Sequence, residues 1–345
     1  MSLKKYSLII QKIQKETNDS ITVYFKQPGL RKIKYTAGQY LTLTLNINGR
    51  KYKRAYSFSS SPSVDENLKI TVKRVPNGIV SNYFLDNIKV GDIIEVSEPM
   101  GEFVLDIENI PDQVFFWGAG SGITPIFSMM RELLYSSPST MIHLTYGNST
   151  NEESIFLKEL LDLSDKHKEH FNLNLFFSRD HDKVIELSFS GRINSDFVKD
   201  YTMNNSSTIG TSQHFICGPS QMKEMIIESL VNRGLPRESV FSEDFQLTIN
   251  EQDLIEVIDS EAELHVNGKE FNVLVQRGKT ILDAYLDNGI DLPYSCQTGS
   301  CKECIARVIS GETKMLGQEN INDLDKNQTL LCCTYPTSKE IKIEI

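Results

Sequence analysis

At 345 residues, 39% apolar and 24% charged, the chain has ordinary globular composition and length enough for two or three domains. It holds no run of about 18 apolar residues, so no membrane span is expected. A formal net charge of −10 argues against a nucleic-acid surface and suits a partner carrying a basic patch.

The first hundred residues set short β-type segments close together, at Ser7–Ile13, Ser20–Lys26, Tyr40–Ile47 and Leu68–Lys73. Pro28-Gly29, Ala37-Gly38 and Asn48-Gly49 punctuate them, which predicts an antiparallel barrel. The middle changes character. Strand-like runs at Gln113–Trp117, Met141–Tyr146, Leu173–Ser178 and His214–Cys217 alternate with helical stretches at Pro125–Leu134, Glu152–Leu163 and Ser220–Asn232, the pattern of a doubly wound parallel sheet. From about Gln246 to Ser260 the sequence turns acidic and loses periodicity, as an interdomain linker does. A hairpin follows, Glu263–Val266 and Lys269–Val275 around Asn267-Gly268, and then a helix at Thr280–Asn288 closed by Gly289. The expected organisation is therefore 1–108, 109–245, a linker at 246–260, and 261–345.

Arg54-Ala55-Tyr56-Ser57 ends a strand-like segment. One cation, one aromatic ring and one hydroxyl at this spacing suit a flavin nucleotide: Arg54 for a phosphate, Tyr56 for the isoalloxazine face, Ser57 for its ring edge. Arg and Tyr alternating on a strand also occur as plain surface residues. Downstream, Gly78-Ile79-Val80-Ser81 precedes a helical stretch from Asn82, which offers free amides to a phosphate or simply caps the helix. Gly118-Ala119-Gly120-Ser121-Gly122-Ile123-Thr124-Pro125 follows an apolar strand and opens a helix, so Gly120 and Gly122 let backbone amides reach a pyrophosphate or allow tight packing. Phe215-Ile216-Cys217-Gly218-Pro219 places Cys217 at the carboxyl edge of the sheet, where open α/β folds bind ligands; a buried structural cysteine is the plain alternative.

Cys296, Cys301, Cys304 and Cys332 read C-x4-C-x2-C with one more cysteine after a long gap, the plant-type ligand spacing of a [2Fe–2S] cluster. A zinc ribbon wants two C-x2-C units, and only Cys301 and Cys304 make one. A disulfide framework is not expected either, since MSLKKYSLII lacks the apolar core of a secretory signal. The small residues from Ser295 to Ser300 let backbone amides approach cluster sulfurs, while Lys302 and Glu303 should point to solvent. Spacing and the following Thr-Tyr-Pro favour Cys332 as fourth ligand, with Cys333 as the adjacent alternative. Asp283, Asp287 and Asp291 recur at four-residue steps, either as an acidic docking face or as a solvated helix face. No histidine is given a role.

On these motifs residues 1–245 resemble the ferredoxin–NADP reductase family, through Arg54–Ser57, Gly78–Ser81, Pro99-Met100-Gly101, Gly120–Pro125, Cys217-Gly218-Pro219 and Phe245 as closing aromatic. Residues 261–345 resemble a plant-type ferredoxin of β-grasp fold. The flavin–nicotinamide–ferredoxin order is similar to the reductase subunits of phenylacetyl-CoA epoxidases and of Rieske hydroxylases. The resemblance implies FAD phosphates at Arg54 and across Gly78, Val80 and Ser81, and the isoalloxazine at Tyr56 and Ser57. It implies the nicotinamide near Thr124, Cys217, Gly218 and Pro219, and the adenosine 2′-phosphate of NADPH at Ser178 and Arg179, although relatives with similar residues use NADH. Tyr56, Ser57 and Cys217 are then the residues at the hydride-transfer centre. The implied function is a cytoplasmic NAD(P)H-dependent reductase feeding single electrons through the cluster to an oxygenase in aromatic-compound or phenylacetyl-CoA breakdown. A general supplier of desaturases or cytochromes P450, and a redox sensor, are the alternatives.

Overall fold

The computed structural model describes residues 4–29, 32–137, 139–180, 185–205, 212–247, 249–266, 268–317 and 324–345. They form three main sheets in chain order.

The first sheet contains β1 (Lys5–Lys15), β2 (Ser20–Phe25), β3 (Tyr40–Ile47), β4 (Arg50–Ser57), β5 (Leu68–Lys73) and β6 (Ile93–Ser97), in the order β4-β3-β6-β1-β2-β5. The pairings of β1 with β2 and β6, and of β2 with β5, are antiparallel, as expected of a barrel. Val23, Phe25, Ile70 and Val72 lie fully inside it. The β3–β4 hairpin turns at Asn48 and Gly49, both with positive φ (52° and 80°), which is what a two-residue type I′ turn requires. Helix α1 (Ile79–Asn87) starts three residues before the expected Asn82. Ser81 thus sits inside its first turn, with Gly78 as N-cap.

The second sheet is wholly parallel: β7 (Gln113–Ala119), β8 (Met141–Asn148), β9 (Phe171–Phe177), β10 (Ser188–Ser190), β11 (Ser212–Cys217) and β12 (Val240–Glu243), in the order β10-β9-β8-β7-β11-β12. The run Val114–Trp117 is buried on both faces, which explains its unbroken apolar character. Its helices are α2 (Ile123–Ser136), α3 (Leu157–Lys166), α4 (Ser195–Asn205) and α5 (Ser220–Val231). Strand order reverses between β7 and β11, so their carboxyl ends form the topological switch point at which such sheets bind ligands. Helix α3 begins at Leu157, not Glu152, because Phe156 adopts a left-handed conformation (φ 61°) that the helix cannot pass through. Helix α4 has no counterpart among the elements expected from the sequence; its start is marked by the Asn194 side chain accepting the Phe197 amide at 2.9 Å.

The third sheet holds β13 (Ser260–Val266), β14 (Lys269–Val275), β15 (Ile305–Ser310), β17 (Gln328–Leu330) and β19 (Glu340–Glu344), in the order β14-β13-β19-β15-β17. A small pair, β16 (Thr313–Met315) and β18 (Thr334–Pro336), stands beside it. Helix α6 (Ile281–Asp287) buries Ile281, Leu282 and Tyr285 in a core with Leu264, Val275, Leu331 and Ile343. Of the expected Asn267-Gly268 turn, Asn267 lies outside the described residues; Gly268 has φ 72°. The acidic stretch before β13 carries a 3-10 turn at Glu251–Leu254 and buries Val257 beside Leu316 and Tyr335.

By compactness the chain divides into two units, Met1–Leu45 with Tyr56–Asp244, and Asn46–Ala55 with Phe245–Ile345.

Candidate functional site

In the second unit, α6 leads into the cysteine loop. Thr280 caps the helix by accepting the Asp283 amide at 3.0 Å. Beyond Gly289 the chain buries Leu292 and Tyr294, and then coils tightly, with Gln297, Gly299 and Lys302 all at positive φ (59°, 77° and 59°). That coil turns backbone amides toward sulfur: Thr298 N–H donates to Cys296 Sγ at 3.3 Å, and the Glu303 amide reaches Cys301. Lys302 is exposed as expected, whereas Glu303 is half-buried. Cys304 and Cys332 are buried, and Cys296 and Cys301 half-buried.

The four thiols form one hydrogen-bonded network. Cys301 donates to Cys296, and Cys332 donates to Cys296, Cys304 and the adjacent Cys333, so Cys296 is held well toward thiolate and Cys304 is lowered, while Cys301 and Cys332 are pushed up as donors. Cys333 is fully buried and its Sγ donates to Leu330 O at 3.4 Å. Leu331 N–H to Cys304 O (3.0 Å) and Leu316 N–H to Cys333 O (2.9 Å) fix the segment carrying Cys332. All six cysteines are free. Four soft sulfurs brought together, with amide donors nearby, fit a [2Fe–2S] cluster.

The first unit builds a site at its switch point. Gly118, Cys217 and Glu243 stand in register on β7, β11 and β12. The turn after β7 is a 3-10 segment, Gly120–Gly122, with Gly120 left-handed (φ 54°) and its carbonyl held by Tyr146 Oη at 3.0 Å. A Cβ on Gly122 would overlap the Cys217 carbonyl, and one on Gly218 would stand 2.6 Å from Met222 Cε. Gly122 is therefore needed for the chain to close up against Cys217, whereas at Gly218 the flexible Met222 end can give way; together they leave a backbone cradle at the helix starts. The Cys217 thiol is buried and pushed well up by desolvation, with Glu243 and Asp244 adding to the effect, so it stays neutral.

Ser57 joins this point from β4: its Oγ donates to Glu243 Oε2 at 3.4 Å. Tyr56 lies 6.0 Å from the Phe84 ring of α1. Ser81 is buried and accepts the Val75 amide at 3.1 Å, and a Cβ on Gly78 would come within 2.8 Å of its Oγ. Val80 is buried in the same helix. Thr124 is buried too, but its hydroxyl donates to Ser121 O at 3.0 Å and serves the turn. Pro219 caps α5 directly after Gly218. Ser178 and the exposed Arg179 leave β9 with their amides bonded to Asn148 O and Ser149 O. Arg54, in the second unit, folds its guanidinium onto Lys53 O at 2.7 Å, and Phe245 is 42% exposed.

Sequence reasoning missed Glu243 and Lys223. Lys223 is buried in the first turn of α5 and pairs with Asp244 at 2.6 Å. The signal was present in Ser242-Glu243-Asp244, charged residues directly after the last strand of an α/β sheet. The resulting arrangement orients rather than titrates: a neutral thiol, a hydroxyl and a carboxylate around a cradle of glycine backbone.

Three family models match in chain order: an oxidoreductase FAD-binding domain at residues 7–105, an oxidoreductase NAD-binding domain at 116–228, and a 2Fe-2S iron-sulfur cluster binding domain at 264–337. Over 98% of its length the chain is 30% identical to the ferredoxin reductase component of 3-ketosteroid-9-alpha-monooxygenase from Rhodococcus rhodochrous, covering 96% of that protein. The chain belongs to the iron–sulfur flavoprotein reductases. The reductase is also 27% identical to one of the subunits of 1,2-phenylacetyl-CoA epoxidase from Escherichia coli, over 98% of this chain and 97% of that one. Its fold is that of phthalate dioxygenase reductase, with a TM-score of 0.72 over 99% and 98% of the two chains at 24% identity. It is an oxidoreductase with FAD-binding, NAD-binding and [2Fe–2S] domains, and the antiparallel, doubly wound and ferredoxin folds read from the sequence are all present. Among the described residues no helix is long and apolar enough to cross a membrane.

Proposed function

We propose that the reductase draws electron pairs from NAD(P)H and delivers them singly to an oxygenase component; two of its relatives are named as components of a monooxygenase and of an epoxidase. The observation that carries this reading is that the thiols of Cys296, Cys301, Cys304 and Cys332 converge within bonding reach of one another, as four ligands of one cluster must. When bound, FAD would accept a hydride and release its electrons one at a time to the cluster.

The residues do the positioning. Arg54 and the α1 start with Gly78, Val80 and Ser81 serve flavin phosphates, while Tyr56 and Ser57 flank its ring system. Gly120, Gly122, Gly218 and Pro219 give the dinucleotide a close backbone approach, and Cys217 and Thr124 bound the nicotinamide pocket. Phe245 takes the role of closing aromatic. Glu243 holds the Ser57 hydroxyl in one orientation. The buried neutral Cys217 adds no charge against the nicotinamide and excludes water. The exposed Arg179 with Ser178 suits a 2′-phosphate, so NADPH is the favoured donor. Six free cysteines suit a reducing, cytoplasmic setting.

Anaerobic titration with NADPH and then NADH, followed by visible absorbance, tests this. Joint bleaching of flavin and cluster bands is expected, faster with NADPH. Bleaching of the flavin alone would refute the cluster assignment.

A further inference from the structure

We propose that the hairpin arm 46–55 is an ionic clasp that seats the cysteine loop next to the flavin-strand residue Arg54, with Asp287 and Asp291 as its second half. The proposal rests on the reading of Cys296, Cys301, Cys304 and Cys332 as cluster ligands. The arm belongs to the same compact unit as residues 245–345.

Its contacts fall on the acidic residues that the sequence offered as a docking face for another protein. Asp287 Oδ1 accepts Arg50 Nη2 at 2.9 Å, and its Oδ2 accepts Lys279 Nζ at 2.8 Å. Asp291 pairs with Lys53 Nζ at 3.3 Å. These bonds hold the Asp287 carboxyl below the usual range, Lys279 contributing most and Arg50 next. Asp283 is engaged at the helix cap, where Thr280 Oγ1 donates to it at 2.8 Å. A carboxylate already paired within the chain is a poor anchor for a basic partner.

Lys53 is the centre of the clasp. Its ammonium also donates to Leu292 O at 3.4 Å and lies 4.7 Å over the Tyr294 ring, and its backbone N–H donates to Tyr294 Oη at 3.1 Å. Tyr294 is buried and stands two residues before Cys296, while Lys53 stands one residue before Arg54. The clasp thus joins the foot of the cysteine loop to the arm at Lys53 through one side chain and one backbone bond. Each exposed ion pair is weak and screened by salt. Both ends lie on one chain, so even weak pairs act at high effective concentration. A seat built this way holds under ordinary ionic strength and loosens in salt.

Asp287→Arg in the full holoenzyme tests the idea, since a cation suits a helix C-terminus and the fold should survive. The double variant Arg50→Asp/Asp287→Arg restores the pair with reversed polarity. Two readouts are taken: hydrogen exchange of the backbone amides at 50–55, and stopped-flow bleaching of flavin and cluster by NADPH at about 0.05 M and about 0.5 M salt. Asp287→Arg is expected to raise exchange in the arm and to slow cluster bleaching roughly fivefold, with flavin bleaching unchanged. The double variant should recover both, and high salt should slow the unsubstituted protein in the same direction. Unaltered exchange and cluster bleaching in Asp287→Arg, or a double variant as slow as the single one, overturns the clasp. A cluster that never bleaches in the unsubstituted protein overturns the ligand reading, and the clasp with it.

Discussion

Cys332 and Cys333 are adjacent thiols with different surroundings, and the difference lies in direction, not exposure. Cys332 donates to Cys296, Cys304 and the adjacent Cys333 sulfur, while Cys333 itself donates to the Leu330 carbonyl. Cys332→Ser should therefore strip the protein of bound iron and of visible cluster bands. Cys333→Ser should keep both and cost about 1–2 kcal/mol through a buried hydroxyl, which iron analysis and urea unfolding would show. Gly122→Ala makes a second test, because its Cβ would overlap the Cys217 carbonyl. It should cost roughly 1–3 kcal/mol and raise the KM for NAD(P)H. Gly120 has open space at its Cβ position, so Gly120→Ala meets only the strain of its positive φ, roughly 1 kcal/mol. Spacing alone favoured Cys332 but left Cys333 as an alternative, because distances along the chain say nothing about which way neighbouring side chains point.

At the scale of elements, helix α2 is tied to the loop after β4 by one carboxylate. Glu132, 3% exposed, accepts Ser61 Oγ, Ser63 N–H and Ser63 Oγ. Glu132→Ala would leave those donors bare in the interior and should lower unfolding stability by about 2–4 kcal/mol, read from the urea midpoint. Nothing in the sequence around Glu132 announces this, since its partners lie about seventy residues away and an acid in a helix reads as solvated. The strand with an unbroken apolar run, β7, was legible because burial on both faces leaves a compositional mark. The start of α3 was not, as it turns on one left-handed residue, Phe156, which no periodicity encodes. Glu243 was overlooked for a similar reason: its meaning comes from Ser57, far away in sequence.

For the molecule as a whole, acid stability should be set partly by a stack of rings across the parallel sheet. Phe115 lies between His143 and His214, with centroids 4.2 and 4.7 Å away, and Trp117 Nε1 donates to His214 Nδ1 at 3.2 Å. Burial pushes His143 down to about 4 and His214 down to about 3. The unfolded chain takes up protons on these residues below about pH 6.5, and the folded chain does not. Stability is therefore complete above pH 6.5 and is lost as pH falls toward 4 and then 3, at up to about 1.4 kcal/mol per pH unit for each histidine. Urea midpoints followed by the fluorescence of the single tryptophan should show this slope, and His214→Gln should flatten it. The three folds were readable in the sequence because their cofactors demand local motifs. The grouping of residues 46–55 with the C-terminal hundred was not, because it depends on Arg50 and Lys53 finding Asp287 and Asp291. That grouping has a practical consequence for protein engineering. A chimera that replaces only residues 245–345 with another electron carrier would leave Arg50 and Lys53 facing strangers. The hairpin has to travel with the graft, so the working cassette is two pieces of chain and not one.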